Sequence, residues 1–485
     1  MNRSIVNIMN LPDEIILIIW NKLNKIDALY SFLNVNRRFD NLIRDKIYTR
    51  SIELIKTNCQ EEQNCSLSDQ ILDRFCLDIL PQIHYMVEQL IVESFLMGRI
   101  FYIGEYPRLC KLTFINLTQE LAMRILTNLD FSESSKWLHP VLTFDNLSEK
   151  RCFSSTIVNL RINVHLFNDC QYLLDGRLSQ LRTFIVKIDF ISNLNVSITN
   201  TDILHLKCFS LTSYNRTNEY DSQVVPLLGR MIHLEQLTLY LNVTNRSTFI
   251  DGIHLKDNIL DRMPQLQTFN FNIITRTNVS TYVHNQLYED MRCTFLNGKF
   301  HQVDFYLDQY PDGMARSHIY SLPYKMNVMH DISNTFPGGV FTNVRVILLL
   351  DIHCPFEYKI YDRIARSFPF LTDLTVLNRK PRNYKSSHEP KKSDQMASVI
   401  VFPHLTHLRI CFGNMDIAEQ LLVNTNTLLP CLIDLEIPYS YIAEVTEYFT
   451  REATRVNCAN IKYLYLRSTL LVHGKDFHSY FPCYT

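Results

Sequence analysis

Chemistry on a substrate needs reactive side chains at spacings that let them converge, and the candidates here are sparse. Sixteen histidines and thirteen cysteines are present, yet no C-x-x-C, H-E-x-x-H or G-x-S-x-G string occurs. With only 11 glycines there is no G-x-x-x-x-G-K-[ST] or G-x-G-x-x-G cradle for phosphates. His404 and His407 lie three apart in a predicted strand, where side chains alternate between faces, so they do not converge on one metal. The sequence therefore assigns no catalytic residue, no metal ligand and no cofactor. A hydrolase or transferase assembled from dispersed residues of an α/β domain stays open, and would need a concave pocket of convergent groups.

Residues better suited to recognition sit on predicted strands. A template, apolar-x-x-apolar-x-apolar, recurs as Val87-Leu90-Val92, Leu109-Leu112-Phe114, Ile157-Leu160-Ile162, Leu181-Phe184-Val186, Ile203-Leu206-Cys208, Leu234-Leu237-Leu239 and Leu266-Phe269-Phe271. It continues as Leu371-Leu374-Val376, Leu405-Leu408-Ile410, Leu432-Leu435-Ile437 and Ile461-Leu464-Leu466, with weaker copies at Phe300-Val303-Phe305 and Phe341-Val344-Val346. Over eight steps between neighbouring copies the central residue moves by 22 (90 to 112) to 34 (374 to 408), room for one strand and a returning helix or loop. Segments 416–422 and 443–449 have helical spacing suited to that return. Alternation sends the template residues to the core and their neighbours outward. Tyr240, His407, Arg409, Asp434, Glu436, Tyr463, Tyr465 and Arg467 are thus the candidate target-binding positions, Tyr and Arg being favoured at interface hot spots.

This periodicity resembles the leucine-rich repeat, which implies a solenoid with a parallel strand face and outer helices over residues 87–470. The family's Asn or Cys after the template is matched at Asn242, whereas other units carry Leu117, His165, Asp189, Leu211, Gly413, Ser440 and Thr469. The internal polar ladder is expected to be mostly missing. Residues 379–398 read as a mobile basic loop, Pro311 to Gly339 as a loop or atypical repeat, and 471–485 as a cap or tail.

Ahead of the repeats, Pro12 suits the first turn of a helix, and Asp13 and Glu14 suit the positive end of its dipole. Ile15, Ile18, Ile19 and Leu23 follow at helical steps, with Ile16 and Trp20 widening the stripe. Asn24 and Asp27 mark a turn and a new N-cap. A unit this small with apolar residues on several faces must cover them with a partner or a neighbouring domain. The string L-P-D-E-I, the Ile-rich helix to Leu23, Asp27-Ala-Leu29 and V-N-R-R-F up to Leu42 resemble the F-box, although Asn36 and Phe39 stand where many members have Cys and Trp. The resemblance implies an adaptor-binding role for Leu11, Pro12, Ile15, Ile19, Leu23, Leu29, Val35 and Phe39. It also implies an Skp-type adaptor and a cullin scaffold as partners of a substrate receptor in a ubiquitin ligase. The alternative is a leucine-rich-repeat scaffold with no ligase role.

The wider composition agrees with a folded chain. Hydrophobic residues make up 46% and charged residues 20%, and the net charge of -1 lacks the basic excess that nucleic-acid binding calls for. No apolar run approaches a membrane span, and the start lacks a basic region followed by an apolar one. The expectation is a non-enzymatic, cytoplasmic or nuclear α/β protein that binds neither nucleic acid nor membrane. Its parts are a small all-α F-box-like module (1–50), a helical connector (51–86), the repeats, and the C-terminal cap or tail.

Overall fold

The computed structural model describes residues 8–55, 69–93, 100, 103, 106–115, 156–176, 178–192, 203–278, 284–296, 302–310, 313–351, 354–378, 399–411, 415–466 and 477–483. The predicted basic loop 379–398 and Arg467 lie outside them. The protein is mixed α/β with a large, mostly parallel sheet. It divides into two compact units, one of residues 1–244 and 253–273, the other of 245–252 and 274–485.

The first unit opens with four short helices, α1 (Asp13–Trp20), α2 (Lys25–Phe32), α3 (Arg37–Ile43) and α4 (Lys46–Thr49). Their starts are written in the sequence. Pro12 precedes α1, Asn24 accepts from Ile26 N–H at α2, Asn36 accepts from Phe39 N–H at α3, and Asp45 accepts from Ile47 N–H at α4. Each side-chain cap satisfies a donor that the first turn leaves without a partner. Asn36, which departs from the F-box pattern, is thereby the residue that starts α3.

The strands then follow in chain order across the sheet: β1 (Ser51–Leu54), β2 (Gln89–Glu93), β3 (Lys111–Ile115), β4 (Asn159–Leu166), β5 (Thr183–Phe190), β6 (Cys208–Thr217), β7 (Gln236–Arg246) and β8 (Thr268–Asn278). β1 falls inside the stretch expected to be a helical connector. It pairs in parallel with β2, Ile52 opposite Leu90, so the sheet begins ahead of the first predicted repeat. Leu90, Leu112, Leu160 and Phe184 stand in one row, as the template requires. The next copy is displaced. Phe184 faces Phe209 instead of Leu206, so the working triplet is Leu206-Phe209-Leu211. Lys207 and Cys208 N–H groups both donate to Arg182 O, which fixes that register.

Polar side chains do bridge neighbouring strands, at the family position Asn242 and, on β6, farther along the strand at Asn215 and Thr217. Asn215 donates to Asp189 O at 2.9 Å, Thr217 to Ile191 O at 2.7 Å and Asn242 to Tyr214 O at 3.4 Å. These bonds serve carbonyls that the ends of long strands would otherwise bury without partners.

In the second unit the region read as a weak repeat followed by a loop is an antiparallel hairpin, β9 (Val303–Gln309) with β10 (Met314–Ser321). Its register sets Asp308 opposite Arg316, Tyr306 opposite His318 and Asp304 opposite Tyr320. All three pairs are joined: Arg316 Nε to Asp308 Oδ2 at 2.8 Å, Tyr306 Oη with His318 Nδ1 at 2.6 Å, and Tyr320 Oη to Asp304 Oδ2 at 3.2 Å. Ser333 and Thr335 also donate to Asp308, and Arg276 pairs with Asp331. Burial alone would raise the Asp308 carboxyl, but Arg316 and these hydrogen bonds hold it below its ordinary value. His318 is pushed down to about 3 by burial and then by the Arg316 cation.

Beyond the hairpin come β11 (Val328–Ile332), β12 (Val346–Asp351), β13 (Asp373–Asn378), β14 (Ile400–Val401), β15 (His407–Cys411), β16 (Thr427–Leu428), β17 (Asp434–Ile437) and β18 (Tyr463–Leu466). β11, β12, β13, β15, β17 and β18 form a parallel sheet in chain order, and β14 pairs with β16. Leu374, Leu408, Leu435 and Leu464 share a row, as predicted, but the row continues to Ile347 and not to Val344. Helices Tyr358–Ser367, Met415–Leu422, Tyr439–Val445 and Glu452–Cys458 return the chain. Ile360, Ile364, Leu421, Ile442 and Cys458 pack with the strand leucines in one core. Asn457, fully buried, donates to Leu422 O and Thr427 O and accepts from Leu429 N–H, so the backbone there is satisfied from the helix side. The helix read over 443–449 ends at Val445, because Glu447, Tyr448 and Phe449 turn to positive φ. Phe477, Tyr480 and Phe481 are buried around Phe449.

Candidate interaction site

The N-terminal helices fold around Trp20, whose indole stacks on Phe32 at 4.4 Å and meets Phe39 edge-on at 5.2 Å and Tyr48 at 6.2 Å. Ile16, Ile26, Leu29, Leu33 and Ile43 complete this core. An eight-residue helix cannot bury its whole circumference, and α1 gives its Ile16 and Trp20 stripe to the protein. Ile15, Ile18 and Ile19, at one- and three-residue steps on the other side, remain exposed, and so do Leu23, Val35, Ile8 and Met9. Scattered apolar side chains on a surface are ordinary, but this many within forty residues mark a surface that another protein could cover.

Arg38 ties the segment before α1 to α3. Its guanidinium donates to Met9 O at 2.8 Å, Leu11 O at 2.6 Å and Asp13 Oδ1 at 2.7 Å, and Asn36 Nδ2 donates to Met9 Sδ at 3.6 Å. The Leu11-Pro12 step is thereby held beside Val35 and Asn36. Of the predicted adaptor contacts, Pro12, Ile15, Ile19, Leu23 and Val35 are exposed and Leu11 is half-buried. Leu29 and Phe39 are buried in the core and cannot meet a partner without unfolding it, which corrects their assignment as contact residues. Ile18 is the most exposed of the α1 isoleucines, and both it and Arg38 stand outside the predicted contact set. The helical spacing of Ile18 and the charge match of Arg38 with Asp13 were the available signals.

The predicted target-binding positions divide more sharply. Tyr240 is buried edge-on against Tyr214, which itself carries Lys187 over its ring at 4.6 Å, so it belongs to the interior of the first unit. Asp434 is also buried, and Glu436 nearly so. In the second unit the register sets Asp373, His407, Asp434 and Tyr463 in one row and Thr375, Arg409, Glu436 and Tyr465 in the next. His407 Nδ1 stands 3.6 Å from Asp373 Oδ1, and Arg409 Nε 3.6 Å from Glu436 Oε2. Burial raises the Asp434 carboxyl, against the opposing pull of His407 and Arg409. Tyr465 is the exposed member of this face and Tyr463 is half-buried. The rows thus pair most of their charges internally, leaving the two tyrosines as the positions best placed for contact.

Among the described residues, no group of three or more His, Cys, Asp or Glu is arranged to hold a metal, and no helix is long and apolar enough to cross a membrane. No protein-family model matches the chain, and no curated protein matches it either.

Proposed function

We propose that the chain is a non-catalytic substrate-recognition subunit of an Skp–cullin–F-box ubiquitin ligase. The N-terminal helices dock the Skp-type adaptor, and through it the cullin scaffold. The in-order parallel strands, read as divergent leucine-rich repeats of a solenoid, hold a target protein through positions such as Tyr463 and Tyr465. Tethering acts by raising the local concentration of target beside a ubiquitin-charged enzyme, with no bond chemistry in this chain. The observation that carries the reading is the exposed isoleucine face of α1 beside the Leu11-Pro12 step clamped by Arg38. Purified adaptor offered to the full chain tests it. Binding that is lost in Leu11→Ala/Pro12→Ala with the fold kept supports the assignment, and failure of the intact chain to bind overturns it.

The second reading, a repeat scaffold whose N-terminal helices serve only as a cap, draws on the position of β1. That strand follows α4 directly and pairs with β2, as a capping element does. Absence of adaptor binding in the same experiment favours this scaffold.

A further inference from the structure

A cleft of about 520 Å³ in the second unit lies between the Gly338-Gly339 turn and one face of the helix Tyr358–Ser367. Lys359, Asp362, Arg363 and Arg366 recur on that face at three- and four-residue steps and line the cleft, which gives three cations against one carboxylate. Arg366 is paired with Asp362 at 2.9 Å and is widely exposed. Arg363 has no carboxylate partner among the described residues. Its Nη1 donates to Asn334 O at 3.0 Å and Phe336 O at 2.6 Å, which uses the carbonyls leading into the turn and leaves its other N–H groups.

The turn itself must be glycine. Gly338 has φ +98° and Gly339 φ +135°, and a Cβ on Gly339 would stand 2.8 Å from the Phe341 ring. Bare backbone therefore borders the cleft, and the N–H groups of both glycines find no acceptor among the described residues. Ser367, only 2% exposed, lines the same space. Its hydroxyl adds a further polar group to the cleft wall.

We infer that this cleft binds a dianionic phosphate group. A charge near -2 matches the local excess of +2, three terminal oxygens suit the guanidinium, ammonium, hydroxyl and backbone donors of the lining residues, and a planar guanidinium engages such a group in a bidentate manner. The inference does not depend on adaptor binding at the N-terminal helices. The group could be carried by a modified side chain or be a free anion, and both share this chemistry.

The test is calorimetric titration of the full chain with inorganic phosphate and with O-phosphoserine in a chloride buffer. Saturable one-to-one binding is expected, weakened at least tenfold in Lys359→Gln/Arg366→Gln with the melting midpoint kept, since both side chains are exposed. Ser367→Ala supplies a second variant with weakened binding. Tighter binding of O-phosphoserine identifies an esterified group as the natural form, and equal binding identifies the free anion. No saturable binding of either probe, or binding by the double variant equal to that of the natural chain, overturns the assignment.

Discussion

Replacing Ile15, Ile18 and Ile19 together by Ala strips the exposed face of α1 while leaving its core face intact. Ile18 is 58% exposed and Ile15 and Ile19 are each 41% exposed, so these are the fractions that a partner can still bury. Complete burial of an isoleucine is worth about 1.5–3 kcal/mol, which leaves roughly 0.9–1.7 kcal/mol for Ile18 and about 0.6–1.2 for each of the others. If the adaptor covers all three, the triple variant loses about 2–4 kcal/mol, or on the order of 30- to 1000-fold in affinity. Alanine is a good helix former and none of the three positions is in the core, so the fold should survive. The assay is titration calorimetry of the full chain with purified adaptor, and circular dichroism checks helix content. An unchanged affinity in a triple variant whose parent binds would refute the placement of the interface on this face. Ile16→Ala serves as the contrast, because it removes core packing and should lower the melting midpoint.

Arg38→Ala should weaken adaptor binding by releasing the Leu11-Pro12 step. Its three bonds are partly exposed, so the expected loss is about 1–2 kcal/mol, read in the same titration with helix content unchanged. Arg316→Met leaves Asp308 buried without its cation and should lower local stability by about 3–5 kcal/mol; adding Asp308→Leu should recover part of the loss, as read by hydrogen exchange over residues 303–321. His318 is neutral in the folded protein down to about pH 3, whereas an unfolded histidine takes its proton near 6.5. Between these values the unfolded state holds the extra proton, so stability falls as pH drops, by up to about 1.4 kcal/mol per pH unit. Asp308, held below its ordinary value, acts in the same direction but only below about pH 3.9. The window from pH 6.5 to 4 therefore separates His318 from Asp308, and His318→Gln should flatten the hydrogen-exchange profile of β9 and β10 there; an unaltered slope would contradict the assignment.

The strand rows were readable wherever one triplet of apolar residues fitted the template, as at Leu90, Leu112, Leu160 and Phe184 or at Leu374, Leu408, Leu435 and Leu464. They were misplaced where two triplets overlap by three residues. Ile203-Leu206-Cys208 and Leu206-Phe209-Leu211 both satisfy the pattern, and so do the copies starting at Phe341 and Val344; only pairing with the neighbouring strand chooses between them. The hairpin does not fit the apolar template because its face carries Asp, Tyr, Arg and His instead of aliphatic residues, although Pro311-Asp312-Gly313 between two alternating runs is a turn signal. Such a face is tolerated only because each polar group meets its partner directly across the strands, a match that chain order does not display.

The N-terminal helices divide in the same way. Sequence by itself marked the first two starts, at Pro12 and Asn24, since proline and caps act over a few residues, and it showed that the helices carry more apolar surface than they can bury; the caps at Asn36 and Asp45 emerged only in the structure. It could not say which stripe of α1 would be buried, because Ile15, Ile18 and Ile19 and the Ile16 and Trp20 pair are equally apolar. Tertiary structure decided that through Phe32, Phe39 and Tyr48, whose rings enclose Trp20 and leave the isoleucines outside. The basic cleft likewise arises only when the Gly338-Gly339 turn is brought against a helix twenty residues later, a meeting set by long-range packing and not by local pattern.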